Sequence, residues 1–344
     1  MSVNSNIAIV ILNWNGLHFL QQFLPTVNKY SGDAQIIVAD NCSTDDSIQW
    51  LRTNYPAVRL IEMDQNRGFA GGYNTALKLV ETDYYVLLNS DVEVTENWIQ
   101  PIVNLMESDS SIAACQPKIL SYHRRNFFEH AGASGGFIDY LGYPFCRGRI
   151  YNYVEEDKGQ YDNRIEVFWA TGACMFVRAS VFKLLNGFDE DFFAHMEEID
   201  LCWRMRYAGY KIMVEPASVM YHVGGGTLPK SNPRKTYYNF RNNLMMIHKN
   251  LPSDKLWWVL FLRLLLDGLA GIKFLAGGHV RDCLSIIKAH FYFYNNYSHR
   301  KKIRLKEMQN IKNMNVRGIY LKSIVTSYYI SGKKCFSQLS EKFS

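Results

Sequence analysis

Tyr84-Tyr85-Val86-Leu87-Leu88-Asn89-Ser90-Asp91 is the stretch on which the reading of this chain turns. Its uncharged aromatic and aliphatic run fits a strand buried on both faces, as in a parallel sheet. The run ends in Asn89 and Asp91, which lie one residue apart and so point to the same side of an extended backbone. In open α/β sheets, ligands sit outside the carboxyl ends of the strands. A carboxylate with a neighbouring oxygen donor there suits a hard divalent cation, which takes one or two carboxylates plus phosphate oxygens. A strand running into an Asn/Ser/Asp turn is common, however, so the neighbouring segments must decide.

Upstream, Ile7 to Leu12 is another apolar run and ends in Asn13-Trp14-Asn15-Gly16. A helix is expected from Leu17 to about Tyr30. A second strand, Gln35 to Asp40, again ends in a carboxylate, followed by Asn41-Cys42-Ser43-Thr44-Asp45-Asp46. Val58 to Ile61 reads as a short third strand. Asn66-Arg67-Gly68-Phe69-Ala70-Gly71-Gly72-Tyr73-Asn74 then opens a helix ending near Glu81. Strands and helices alternating at this spacing predict βαβ units and a mostly parallel, Rossmann-like sheet flanked by helices. The glycines at 68, 71 and 72 are not the dinucleotide fingerprint, which belongs after the first strand, and no Walker A sequence is present. They fit equally a backbone brought close to a ligand at a helix N-terminus and plain close packing.

Downstream of Asp91, a helix is expected from Thr95 to about Ser108 and a strand from Ile112 to Ile119. Leu120 to Glu166 reads as a long irregular connection. Trp169 to Arg178 returns to the sheet. His195-Met196-Glu197-Glu198-Ile199-Asp200-Leu201-Cys202-Trp203-Arg204 opens a helix that stops at Gly209. Three acids at the start of so apolar a helix exceed what dipole compensation and an Asp200–Arg204 pair at i, i+4 require. Lys211 to Val214 and Ser218 to Tyr221 read as two short strands. His222, after a strand and before Gly224-Gly225-Gly226, becomes a candidate metal ligand beside Asn89 and Asp91.

At 344 residues and 48% apolar content, the chain is long enough for one large α/β domain and an appendage. Seven cysteines without C-x-x-C spacing, and an N-terminus without a leader pattern, point to a reducing, cytoplasmic setting. The charge is uneven. Residues 1–229 carry 17 Lys/Arg against 27 Asp/Glu, and residues 230–344 carry 21 against 5, so −10 and +16 give the net +6. A basic tail with Trp257 and Trp258 suggests an anionic partner; no nucleic-acid motif is present, and anionic lipid fits better. Arg263, Asp267 and Lys273 break the apolar run, so no transmembrane helix is expected. An interfacial helix and a helix packed on the body, or on the mate in a homodimer, fit the tail about equally.

Taken in order, N-W-N-G, V-A-D-N-C-S-T-D-D-S, N-R-G-F-A-G-G-Y-N, L-L-N-S-D-V, G-A-C-M-F-V-R, E-E-I-D-L-C-W-R and H-V-G-G-G resemble the inverting glycosyltransferases of family 2, which have the GT-A fold. The resemblance covers about Ile7 to Thr227 and is nearest to the rhamnosyltransferase-like branch that extends bacterial surface polysaccharides. It implies a GT-A domain at 1–229, with a nucleotide-sugar half at 1–119 and an acceptor half at 120–229, followed by a helical tail at 230–344. It implies a UDP- or dTDP-type sugar donor, Mg2+ or Mn2+, and a glycan or lipid-linked glycan acceptor met at the inner face of the cell membrane. By the same resemblance, Asp40 would bind the nucleobase, and Asn13, Asn15, Asn66, Arg67 and Gly68 would line the donor. Asn89-Ser90-Asp91 takes the place of the family's D-x-D, with Asn89 departing from it, and His222 completes the metal site. Glu198 would be the catalytic base with Glu197 and Asp200 close by. Trp169, Gly172 and Glu197 would meet the acceptor, and Tyr237 to Asn243 would reach the diphosphate or acceptor.

Two other readings are compatible with an α/β nucleotide site. A sugar-nucleotide pyrophosphorylase would carry a basic, Gly-rich loop after the first strand, and N-W-N-G is neither. A sugar-nucleotide or glycan-binding module without catalysis would have no need of Asp91, Glu198 and His222 together.

Overall fold

The structure is a computed structural model that describes residues 6–224, 232–309, 311, 316–339 and 342–344. The end of the H-V-G-G-G segment, from Gly225 on, lies outside the described residues. The chain opens with β1 (Ile7–Asn13), α1 (Leu17–Tyr30), β2 (Gln35–Asp40), α2 (Ser47–Asn54), β3 (Arg59–Glu62), α3 (Gly68–Leu77) and β4 (Tyr84–Asn89). These strands pair in parallel in the order β4-β1-β2-β3. The apolar run of β4 is buried from Tyr84 to Leu88, and exposure begins at Asn89. The strand ends therefore form one polar edge, with Asn13 opposite Asp40 and Leu12 opposite Asn89.

The second half is built differently. After β5 (Val92–Val94) and α4 (Gln100–Ser108) comes β6 (Ile112–Ser121). Then come four short strands, β7 (Gly136–Asp139), β8 (Pro144–Cys146), β9 (Arg149–Ile150) and β10 (Tyr153–Val154), and β11 (Ile165–Glu166). β12 (Cys174–Arg178), α5 (Ala179–Leu184), α6 (Glu197–Tyr207) and β13 (Lys211–His222) complete the body. The main sheet runs β11-β13-β6-β12-β4-β1-β2-β3, with β5 on β13. β12 lies antiparallel to both β4 and β6, so the expected parallel pattern holds fully only in the first half. The two strands expected from Lys211 to Tyr221 are one strand. It is continuous through a register shift between Glu215 and Val219, an irregularity that sequence alternation reads as a break.

The connection read as irregular contains a second sheet of order β10-β9-β8-β7-β14, whose strands of two to four residues are too short to display a period. Its last member comes from the tail, which runs α7 (Pro233–Asn250), α8 (Ser253–Ala276), α9 (Val280–Asn295), α10 (Tyr297–Met308), β14 (Ile319–Tyr320) and α11 (Ile324–Tyr329). β14 pairs in parallel with β7, and Asp139 at the end of β7 accepts the first backbone N–H of α11. α7 packs on α6 and against α8, α9 and α10. Among the described residues, no helix is long and apolar enough to cross a membrane.

Candidate active site

The ends of β1 and β2 are tied into one rigid turn. Asn13 Nδ2 donates to Asp40 Oδ2 at 2.9 Å and to Ser43 Oγ at 3.2 Å, and Ser43 N donates to Asp40 Oδ1 at 2.8 Å. Asn15 Oδ1 accepts from Thr44 N at 2.7 Å. Asn15 and Cys42 hold left-handed backbone, with φ of 51° and 65°, a conformation that Asn tolerates better than most residues. Asp40, which the resemblance assigns to the nucleobase, is fully buried, and each of its oxygens accepts one bond within this turn. Asn41, part of the V-A-D-N-C-S-T-D-D-S motif but given no role there, joins the next loop. Its Oδ1 accepts from Arg67 N and its Nδ2 donates to Asn66 Oδ1 and Gly68 O.

Asp91 and His222, 131 residues apart, meet because β5 pairs antiparallel with β13 and sets His222 opposite Val92. His222 Nε2 lies 3.1 Å from Asp91 Oδ1, and His222 Nδ1 lies 3.2 Å from Glu129 Oε2. Burial disfavours a charged imidazole, yet the two flanking carboxylates push the His222 pKa well above its usual value. Burial also works against the Asp91 carboxylate, and the imidazole beside it outweighs that and holds it below the usual range. Asn89 and Ser90 stand half-buried beside this pair. A carboxylate backing the far nitrogen of a metal-binding histidine is a recurrent arrangement, and sequence reading missed Glu129 because no motif surrounds it.

The third group is the start of α6. Three residues before it, Phe193, His195 and Met196, hold φ of 64°, 72° and 74°, so the chain enters the helix through a strained turn. Glu197 is buried and Glu198 half-buried, and one carboxylate oxygen of each, Oε2, has no hydrogen-bond partner among the described residues. Burial pushes Glu198 up to about 7. Glu197 is pushed well above the usual carboxylate range by burial and then by the charge of Glu198. Buried carboxylates with an unpartnered oxygen and a raised pKa are candidates for a functional site.

The sequence model described as glycosyl transferase family 2 matches residues 8–185, slightly over half of the chain. The chain belongs to glycosyl transferase family 2. A low-salt glycan biosynthesis hexosyltransferase of Haloferax volcanii is 22% identical over 246 residues, 70% of this chain and 75% of its own. An N-acetylglucosaminyl-diphospho-decaprenol L-rhamnosyltransferase of Mycobacterium tuberculosis is 26% identical over 238 residues, 64% of this chain and 77% of its own. Among solved structures, GalNAc-T7 with UDP, GalNAc and Mn2+ superposes with a TM-score of 0.56 at 14% identity, over 72% of this chain and 48% of that one. The fold is GT-A, and the chain is a glycosyltransferase.

Several residues of this family 2 enzyme that the sequence singles out are taken up in packing, among them Asp200 in the i, i+4 pair with Arg204 that its spacing implies. The α3 N-terminus is a joint, not an open anion site: Phe69 N and Ala70 N both donate to Phe193 O. A Cβ on Gly68, at φ +69°, would lie 2.4 Å from that same oxygen, so the glycine is required by close packing. Trp169 is buried against Gly136 and gives its indole N–H to Phe137 O, and Gly172 packs on the Phe69 ring, so both are core residues. Asp200 is fully buried, with its carboxylate taken up by Arg204 Nε, Lys249 Nζ and Asn250 Nδ2 at 2.8 to 3.0 Å. It acts as an anchor between α6 and α7.

Arg241 and Asn242 on α7 are turned towards the loop before α6. Asn242 Nδ2 lies within 2.9 Å of the carbonyls of Phe192, Ala194 and His195, and Arg241 donates to Asp191 O and Phe192 O. From the other side, Asn74 on α3 donates to Phe188 O and accepts from Phe188 N. The strained turn that presents Glu197 and Glu198 is thus held between α3 and α7.

Proposed function

We propose that this glycosyltransferase moves a sugar, with inversion, from a UDP- or dTDP-type donor to a glycan or lipid-linked glycan acceptor at an anionic membrane surface. The reading rests on the unpartnered carboxylate oxygens of Glu197 and Glu198 in the first turn of α6. The rhamnosyl and hexosyl names of the relatives support the donor class, and the diphospho-decaprenol acceptor in one of those names supports the lipid-linked acceptor.

In this reading, the acceptor hydroxyl oxygen attacks the anomeric carbon opposite the leaving diphosphate. The new C–O bond forms as the old one breaks, and the diphosphate leaves with the electron pair. Glu198 takes the hydroxyl proton, which a carboxylate of pKa about 7 accepts at neutral pH. Glu197, kept protonated by burial and its neighbour, donates a hydrogen bond that orients the acceptor or the base. Asn13, Asn15 and the 66–68 turn shape the donor side through backbone held rigid by Asp40 and Asn41.

A divalent cation would be held by Asp91 Oδ1 and, on displacing the proton His222 Nε2 shares with that carboxylate, by His222 Nε2, with Asn89 next to it; the carboxylate–imidazole set suits Mn2+ better than the all-oxygen preference of Mg2+. Among the described residues, no three His, Cys, Asp or Glu side chains gather as a cage, so donor phosphates would complete the coordination. When bound, the cation supplies positive charge to the departing diphosphate.

The test is calorimetry against a panel of nucleotide sugars with Mn2+ present, followed by turnover of the donor that binds. Glu198→Gln should lower kcat by about 10²- to 10⁴-fold with donor Kd unchanged. Failure to bind any nucleotide sugar would remove the activity, and near-normal turnover of Glu198→Gln would remove the base.

A further inference from the structure

Arg263 and Asp267, two of the three charges that interrupt the apolar run of α8, both face inward. Arg263 is 2% exposed, stacks 3.8 Å over the Tyr143 ring and pairs with Asp267. Asp267 is 1% exposed and also receives His290 of α9. With those charges turned into the body, the outer side of α8 presents Trp258, Phe261, Leu265, Leu269 and Ile272, each more than half exposed. α9 packs beside α8 and continues the same kind of surface with Leu284, Ile287 and Phe291. Between the helices runs a groove of about 240 Å3, lined by apolar and aromatic side chains of both, by Gly268 and by His290. A Cβ on Gly268 would meet nothing within 4 Å, so that glycine serves no close packing and leaves the groove open. Contiguous exposed apolar surface of this extent marks an interaction site.

We infer that the outer face of the α8–α9 hairpin is the membrane-docking surface of this enzyme, lying flat on an anionic bilayer with hydrocarbon chains against its groove. It deepens the membrane part of the proposed function and rests on that reading alone, not on the transfer chemistry. Charge selects the occupant. The exposed ionisable side chains of the two helices are Lys255, Lys273, Arg281 and Lys288, against Asp254 as the exposed acid; Asp267 and Asp282 are buried. Lysines and arginines bordering an apolar helix face reach lipid phosphates while their stems cover apolar surface. A second copy of the chain would instead set these four cations opposite one another with Asp254 as the one exposed acid on the two helices to pair them, which is unfavourable in a desolvated contact. Trp257 and Trp258 near the start of α8 and Tyr294 near the end of α9 lie at the same end of the hairpin, where Trp257 meets Tyr297 at 6.1 Å. Such amphipathic rings favour the headgroup level. No helix among the described residues is long and apolar enough to span, so the face lies on the bilayer and does not cross it.

The test uses the full chain with phosphatidylcholine vesicles, with and without phosphatidylglycerol, and reads sedimentation and tryptophan quenching by brominated acyl chains. The wild type should bind the anionic vesicles, and quenching should fall in Trp257→Phe/Trp258→Phe. Leu265→Glu/Ile287→Glu, both at exposed positions, should lower partitioning by ~10-fold or more with an unchanged melting temperature. Arg281→Glu/Lys288→Glu should weaken binding to anionic vesicles and not to neutral ones; Lys273 is left in place because its ammonium also meets Tyr329. Two results would overturn the inference. One is a wild type that stays in the supernatant with anionic vesicles while it still binds nucleotide sugar. The other is a lipid-free dimer that Leu265→Glu/Ile287→Glu converts to a monomer.

Discussion

Glu198 lies in the first turn of α6, where the helix dipole favours an ionised carboxylate. Burial sets its pKa instead, at about 7. A base works in its deprotonated form, so kcat/KM should rise with pH, with a slope near one, through the acidic range and level off above about 7. Steady-state rates at fixed saturating Mn2+ measure this, and a profile flat from roughly pH 5 to pH 9 would take the proton transfer away from Glu198. At this scale the sequence was most legible where a residue type is rare for its place, as with three acids opening an apolar helix. It was least legible where burial decides the role. Asp40 and Trp169 have suitable chemistry for a ligand, and the structure adds that both are buried and bonded within the protein. Glu129 is the converse: an unremarkable glutamate in the sequence that reaches His222 only through the fold.

At the scale of elements, β1, β2 and β4 could be read almost residue by residue because each is an apolar run closed by a polar turn. The short strands from β7 to β10 could not, since two to four residues carry no period, and their partner β14 lies in the tail. The same non-local logic holds the turn before α6. Three non-glycine residues at positive φ persist only when their surroundings over-determine them. Asn242 is the strongest constraint, fully buried and facing three carbonyls of that turn. Asn242→Ala should leave those carbonyls short of donors and cost about 1–3 kcal/mol of stability. Because the turn aims Glu198, kcat should fall by more than the stability loss implies at a temperature where the variant is folded, with donor Kd unchanged. Thermal melting, calorimetry and kcat separate these effects, and a folded Asn242→Ala with wild-type kcat would mean the turn is aimed by Asn74 and α3 alone.

Over the whole molecule, the acidic body and basic tail read from the sequence as an attraction to some outside anion. Much of that attraction is internal. Lys249 pairs with Asp189 and Asp200, and Arg304 donates to the carbonyls of His248, Lys249 and Leu251 around the end of α7. Arg300 is 3% exposed, bonds Asp191 at 2.6 Å and lies 3.9 Å from Asp189. Reversing Arg300, Lys301 and Lys302 together as a single basic patch would therefore mix two effects. Arg300→Glu sets a third carboxylate against Asp189 and Asp191, beside the loop that carries Glu198. Asp191 is partly solvated and Lys249 still serves Asp189, so the cost should be about 1–3 kcal/mol, below that of breaking a fully buried pair. The variant should melt several degrees lower and lose turnover. Lys301→Glu/Lys302→Glu changes exposed positions on α10 and should leave stability within about 0.5 kcal/mol. Its effect should appear only in vesicle binding, and should fade as salt shortens the reach of exposed charge to about 8 Å at physiological ionic strength. Melting curves and salt-dependent sedimentation decide the matter. If Arg300→Glu keeps its melting temperature and turnover and loses only vesicle binding, the tail's charge serves the membrane and does not bind the body together.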